Sequence, residues 1–158
     1  MEDPPIHAFA GVGDVEALRK LVASGIDVDA RDQTNATPLM IAAAVGKLGA
    51  VQLLLAGKAD PNASDRDGET PLHFVTRQYY PEVVEALIAA GASVNAVEAQ
   101  FGNTPLHLAV INAMPGRTEV VDVLLRAGAD KTAVSKNGGT PESFATVLNK
   151  TYLFRPKR

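Results

Sequence analysis

The sequence predicts an all-α fold, a linear stack of helix-turn-helix units, and three observations carry that prediction. A Thr-Pro phrase recurs as ATPLMIAAA at 36–44, ETPLHFVTR at 69–77, NTPLHLAVI at 103–111 and, in a worn copy, GTPESFATV at 139–147. Its prolines Pro38, Pro71, Pro105 and Pro141 stand 33, 34 and 36 residues apart, and Pro5 precedes Pro38 by another 33, so one period runs through almost the whole chain. Between the copies lies a second phrase with apolar residues at helical spacing, such as Val83, Val84, Leu87 and Ile88, closed by Gly25, Gly91 or Gly128 where a helix end takes a left-handed residue. Two helices of about ten residues each are marginal alone, so each pair must bury its apolar face against its neighbours.

The units follow in order. The first, about 3–31, opens on EDPP, where Asp3 replaces the capping threonine, and continues into DVEALRKLVASGIDVDA at 14–30. The second, 32–64, starts with Thr37 as helix cap and Pro38 at the first helical position, where its missing amide hydrogen has no partner to lose. Its second helix ends in LLLAGKAD, so Lys58 stands where other units place glycine and Gly57 comes one residue early. Either that helix stops sooner or Lys58 is left-handed, at a cost of roughly 1 kcal/mol. The third unit, 65–98, keeps the pattern through Thr70, Pro71 and PEVVEALIAAGASVNA. The fourth, 99–134, gains one residue around Val97–Ala99 and three at about Ala113–Pro115. From 135 to 158 the pattern is truncated: Glu142 and Ser143 replace Leu and His, while Phe144, Val147 and Leu148 are expected to keep an inward stripe. Atypical terminal units of this kind are what closes an array, and the chain is expected to be a complete one.

Composition narrows the function. With 158 residues, 46% apolar content and a formal charge of −3, the chain suits one globular unit. The absence of cysteine excludes disulfides, thiolate metal sites and thiol nucleophiles. Acid where a signal peptide carries base, in MEDPPIHAFAG, and the lack of any apolar run near the roughly 20 residues that span a bilayer predict a cytoplasmic protein with no membrane partner. Base is concentrated only in the final RPKR, so no nucleic-acid partner is expected.

The stretch DRDGETPLHFV followed by PEVVEALIAAGASVNA resembles an ankyrin repeat nearly position for position, and the resemblance covers almost the full chain. It implies four full repeats plus a truncated C-terminal capping repeat in a curved solenoid, with loop tips that project from the helices and a concave face that binds other proteins. It implies no catalysis.

The three histidines, His7, His73 and His107, all fall two residues after a unit's proline. The resemblance implies that each bonds to the threonine hydroxyl and to backbone of the adjoining loop. Successive copies lie a repeat apart, too far to share a metal, so no metal, cofactor or general base is expected. Met40 takes that place in the second unit. GVGDVE at 11–16 lacks the strand and third glycine of a dinucleotide site, and Lys47 is followed by Leu48 rather than a hydroxyl, so neither glycine cluster predicts nucleotide binding.

With the repeated positions assigned to the scaffold, function is expected at the variable ones: loop tips and first-helix ends, the family's usual binding surface. These are Gln33, Thr34, Ala36, Ala44 and Val45 in the second unit. In the third they are Arg66, Asp67, Glu69, Arg77 and Gln78, with Tyr79 and Tyr80 beside them, and in the fourth Gln100, Phe101, Asn103, Ile111, Asn112 and Met114. Aromatic and arginine side chains dominate binding energy in protein interfaces. Tyr79, in place of a turn glycine, either touches a partner or fills a gap between loops; Met114 either touches a partner or lies in a turn that has drifted. The expected function is non-catalytic protein binding by a small stand-alone adaptor or inhibitor, monomeric by itself. An enzyme or small-molecule binder would need polar groups converging in a pocket, and a structural spacer would show no patch of unusual residues.

Overall fold

The computed structural model describes residues 5–154; Asp3 and the RPKR tail lie outside them. The described residues form α1 (Pro5–Val12), α2 (Val15–Ala23), α3 (Pro38–Ala44), α4 (Leu48–Ala56), α5 (Pro71–Thr76), α6 (Pro81–Ala89), α7 (Pro105–Asn112), α8 (Glu119–Arg126), α9 (Pro141–Val147) and a 3₁₀ turn (Thr151–Phe154). The odd-numbered helices stack on one another in one layer and α2, α4, α6 and α8 in a second. Leu39, Leu72 and Leu106 from the first layer meet Leu18, Leu54, Leu87 and Leu124 from the second in one buried core. Because each pair buries side chains at corresponding positions, Ile6, Leu39, Leu72 and Leu106 among them, the core runs along the stack.

Each first helix from α3 onward starts on a threonine N-cap, Thr37, Thr70, Thr104 or Thr140, followed by proline. The histidine two residues past that proline then joins unit to unit. His73 Nδ1 accepts from the Thr70 amide at 3.1 Å and lies 2.9 Å from the Thr70 hydroxyl, which leaves Nε2–H to donate to the Asn103 carbonyl at 3.3 Å. His107 repeats this with Thr104 and with the Gly139 carbonyl at 3.2 Å, and His7 Nε2 lies 3.1 Å from the Ala36 carbonyl. Burial pushes the pKa of His73 and His107 down, so both rings are neutral and their tautomer is set by these bonds. In the second unit the Thr37 amide instead points at Met40 Sδ, 3.3 Å away.

A second ladder joins the outer loops. The Asn62 side chain accepts from the Ser93 amide at 2.7 Å and donates to the Gly91 carbonyl at 3.0 Å; Asn95 does the same with Asp130 and Gly128. Asp29 holds the corresponding place in the first unit and only accepts, from the Asp60 amide at 3.1 Å. Lys58 is left-handed with φ 72°, which decides between the two geometries open in the sequence.

The last unit differs from expectation. Val147, 83% exposed, and Leu148 face solvent, because they hold the register of Ile111 and Asn112 on the outer side of the first-helix layer. Asn149 is left-handed and turns the chain back, so that Ala145 and Leu153 are buried instead. The Lys150 ammonium then donates to the Val110 and Ile111 carbonyls at 3.1 and 2.6 Å, closing the end of α7.

Candidate partner-binding site

The loop tips of the second to fourth units are each built on an acid that accepts from its backbone amides, half-buried at Asp32 and Asp65 and buried at Glu98. Asp32 Oδ1 accepts from the Thr34 and Ala36 amides, both at 2.8 Å, and Asp65 Oδ1 from Asp67 and Glu69, both at 2.9 Å. In the fourth unit the tip is one residue longer and the acid is one methylene longer. Glu98 accepts from Gln100 at 2.6 Å, Phe101 at 2.9 Å and Asn103 at 2.8 Å. Burial pushes the Glu98 carboxyl up, but these backbone donors outweigh it and hold its pKa below the ordinary value, so the tip is pinned around a carboxylate. Adjacent tips are tied by Arg31 to the Ser64 carbonyl, by the Ala99 amide to the Asp67 carbonyl and by the Lys136 amide to the Phe101 carbonyl. The inserted residue thus puts Phe101 on a hydrogen-bonded support, with the residue 47% exposed.

A cleft forms at the opposite ends of α5 and α7, where each unit turns from its first helix into its second. In the first two units that turn ends in a left-handed glycine, and the next unit's side chain lies on it. A Cβ at Gly13 would meet Lys47 at 2.8 Å, and one at Gly46 would meet the Tyr80 ring at 2.5 Å. In the third unit Tyr79 occupies the glycine's place, one residue before the helix cap, so the next unit meets a ring there rather than bare backbone. The fourth unit's extra residues resolve this. Met114–Arg117 form a tight turn, closed by the Arg117 amide on the Met114 carbonyl at 2.9 Å, with Pro115 and a left-handed Gly116 at its corners, the pattern of a type II turn. Arg117 is thereby carried over the Tyr79 ring, 5.2 Å from its centroid, and the Tyr79 hydroxyl donates to Glu119, a bond that raises its pKa. The result is a cleft of about 380 Å³ with Ala109, Ala113, Val120 and Val121 at its base and Tyr79, Tyr80 and Met114 around it.

The expected site residues fall into two groups. Arg66, Asp67, Gln100 and Phe101 are exposed on the tips, whereas Arg77, Gln78, Tyr79, Tyr80, Asn112 and Met114 line the cleft. Glu69 and Arg77 bridge the groups by a two-pronged ion pair, one prong being 2.8 Å long, and this bond keeps the Arg77 pKa raised. Ile111 is exposed at the end of α7. Asn103 departs from expectation: it is 8% exposed, its amide bonded to Glu98 and its carbonyl to His73, so it belongs to the tip's support rather than to its outer surface. Arg117, Glu119 and Glu98 belong to the site although they are not among the expected residues. Tyrosine in a glycine's place, followed one unit later by an insertion at the facing turn, was the available signal for the first two.

Among the described residues no group of three or more acidic or histidine side chains could hold a metal, and no helix is long and apolar enough to cross a membrane. The geometry defines a helical repeat protein that displays a surface. A family model described as ankyrin repeats (3 copies) matches residues 2–65 and 39–135, and the chain belongs to the ankyrin-repeat family. Its repeats generally mediate protein–protein interaction and are typically non-catalytic. The chain is also similar to the human 2-5A-dependent ribonuclease, 39% identical over 72 residues, and to the mouse protein of the same name, 45% over 58. These matches span 46% and 37% of this chain but only 9% and 8% of those proteins. The chain therefore matches less than a tenth of the length of these curated relatives, about two repeats.

Proposed function

We propose that the chain is a non-catalytic adaptor or inhibitor of the cytoplasm that binds a partner protein through its third and fourth repeats and acts by occupying or positioning it. The observation that supports this reading is the convergence of the departures from the repeat. The longer tip displays Phe101, while Tyr79 and the longer turn together open a cleft of mixed polar and apolar lining rimmed by exposed Met114. Ion-paired Glu69 and Arg77 join the two places, so one partner surface spans both. Exposed apolar side chains beside a cleft mark interaction sites.

The test is a photo-crosslinking amino acid placed at Phe101, at Met114 or at Glu85 on the α6 outer face, followed by mass spectrometry of adducts from cells that express the chain. The reading expects one protein to be captured from Phe101 and Met114 and not from Glu85. Capture from Glu85 alone would overturn it.

A further inference from the structure

The fifth loop tip, 135–139, repeats the backbone of the earlier tips without the acid that clamps them. Its Ser135 amide donates to the Gly139 carbonyl at 2.8 Å and its Gly138 amide to the Ser135 carbonyl at 2.9 Å, as the Asp65 and Gly68 amides do in the third unit. Ser135 thus stands where Asp32, Asp65 and Glu98 stand. Its hydroxyl is buried and makes no hydrogen bond among the described residues. The Asn137 and Gly139 amides correspond to the two that Asp65 holds at Asp67 and Glu69, and among the described residues they have no acceptor. In this unclamped tip Asn137 is exposed, and it is the one asparagine of the sequence followed by glycine. Its side chain makes no hydrogen bond among the described residues, whereas Asn62 and Asn95 are held in the outer ladder, Asn112 donates to Leu108 and Asn103 is buried. Gly138 is left-handed with φ 78°, and a Cβ there would meet nothing within 4 Å.

We infer that Asn137 is a site of spontaneous deamidation, a modification built into the last tip that makes it acidic with age. The Gly138 backbone nitrogen, on losing its proton, attacks Asn137 Cγ. The new N–Cγ bond closes a five-membered succinimide, the Cγ–Nδ2 bond breaks, and Nδ2 takes up a proton and leaves as ammonia. Water then adds to either ring carbonyl and reopens the ring to aspartate or to isoaspartate, whose backbone runs through the side-chain carboxyl carbon. Glycine favours the attack because no Cβ shields its nitrogen and its backbone rotates freely. The attack also requires the turn to open at the bond from Gly138 to Ser135. In the second to fourth units such an opening would break charge-assisted bonds to a carboxylate as well; here only bonds between neutral backbone groups resist it. Loop tips lie at the low-stability end of a fold, and the tip without the clamp is the one that carries the reactive pair. The product matters to its neighbours. The Lys136 amide is tied to the Phe101 carbonyl and the Gly139 carbonyl to His107 Nε2, and isoaspartate lengthens the chain between these two ties by one methylene. The inference holds whether or not the chain has a partner.

The experiment is prolonged incubation of the folded chain, well below its unfolding temperature, at pH 6 and at pH 8. Peptide mass spectrometry assigns the amide-to-acid mass gain residue by residue, and an isoaspartate methyltransferase labels the rearranged product. Asn137→Gln and Ser135→Asp are treated alike, with thermal unfolding to verify that each is folded. The expected gain appears at Asn137 at least tenfold faster than at any other asparagine, and faster at pH 8 than at pH 6, because the attacking nitrogen must lose its proton. Isoaspartate label appears with it and is absent from Asn137→Gln, whose longer side chain closes a six-membered ring far more slowly. Ser135→Asp keeps the Asn-Gly pair but returns the clamp, and it slows the reaction at least threefold. An Asn137 that stays intact, or that reacts no faster than the other asparagines, would overturn the inference from the parent chain alone. A folded Ser135→Asp that reacts at the parent's rate would overturn the role given to the missing clamp.

Discussion

Arg117 lies over Tyr79, its guanidinium carbon 5.2 Å from the ring centroid, although the two residues are 38 positions apart and each departs from the repeat in its own unit. A tyrosine in a turn that elsewhere ends in glycine meets the next unit with a ring rather than bare backbone, and the lengthened turn of the fourth unit both clears the ring and returns a cation to it. The two departures are one structural solution. A double-mutant cycle of Tyr79→Ala and Arg117→Ala in denaturant unfolding should therefore give a coupling energy of about 0.5–1 kcal/mol, the range for an exposed cation–π pair. Additivity would mean that the stack contributes nothing.

The histidine ties predict both a mutational cost and a pH dependence. His73→Ala and His107→Ala should each destabilise the fold by about 1–3 kcal/mol through buried groups left without partners. Burial lowers the pKa of both from the ordinary value of 6.5, so below that pH the unfolded chain takes up protons that the folded chain refuses. Their contribution is present in full above pH 6.5 and is lost as pH falls from there toward the folded-state values. Chemical denaturation from pH 8 to 5 should show this loss, and His107→Met, which copies Met40, should reduce it. Stabilisation by stoichiometric zinc would contradict the structural role.

Lys58 is held at φ 72°, and among the described residues its side chain makes no compensating hydrogen bond or ion pair. Lys58→Gly should stabilise the protein by about 0.5–1 kcal/mol in equilibrium unfolding. A clear loss would reveal a contact made by the lysine.

Asp29 interrupts the asparagine ladder, and burial raises its pKa above the ordinary carboxyl value. Asp29→Asn supplies the missing donor, aimed by analogy with Asn62 at the Lys58 carbonyl, and should stabilise the fold at pH 7 by about 0.5–1.5 kcal/mol, toward the lower end because the site is largely solvated. A raised folded-state pKa means that the parent gains stability as pH drops and Asp29 protonates, then loses it as pH rises through that value. The advantage of the asparagine should accordingly shrink as pH falls through the raised folded-state value toward 3.8 and level off below it. An advantage independent of pH would exclude Asp29 ionisation as its cause.

The fold was readable because the repeat states it several times: Thr37, Thr70, Thr104 and Thr140 announce the same helix start, and the spacing of His73 and His107 places the ties. Lys58 could be narrowed to two geometries but not resolved, since that choice depends on how α4 packs. Val147 and Leu148 misled because apolarity alone suggested an inward face, whereas the chain's reversal at Asn149 decides which residues of the last unit are covered. The site was readable as a set of unusual residues but not as a place. Tyr79, Met114 and Arg117 are scattered in sequence, and only the facing of one turn on the next shows that they enclose a cleft. Asn103 looked variable and proved buried, because the inserted residue moved Glu98 beneath the tip.

The most direct test of the account compares partner affinity with fold stability for Phe101→Ala, Met114→Ala and the outer-face control Glu85→Gln. Arg77 and Tyr80 serve less well, since their contacts with Glu69 and Gly46 belong to the scaffold. With the partner captured by crosslinking, the account predicts that Phe101→Ala and Met114→Ala each weaken binding at least tenfold, about 1.4 kcal/mol, while unfolding stays within about 1 kcal/mol of the parent and Glu85→Gln changes neither. Full affinity in both variants, with binding lost in Glu85→Gln, would place the partner on the second-helix face and contradict the account.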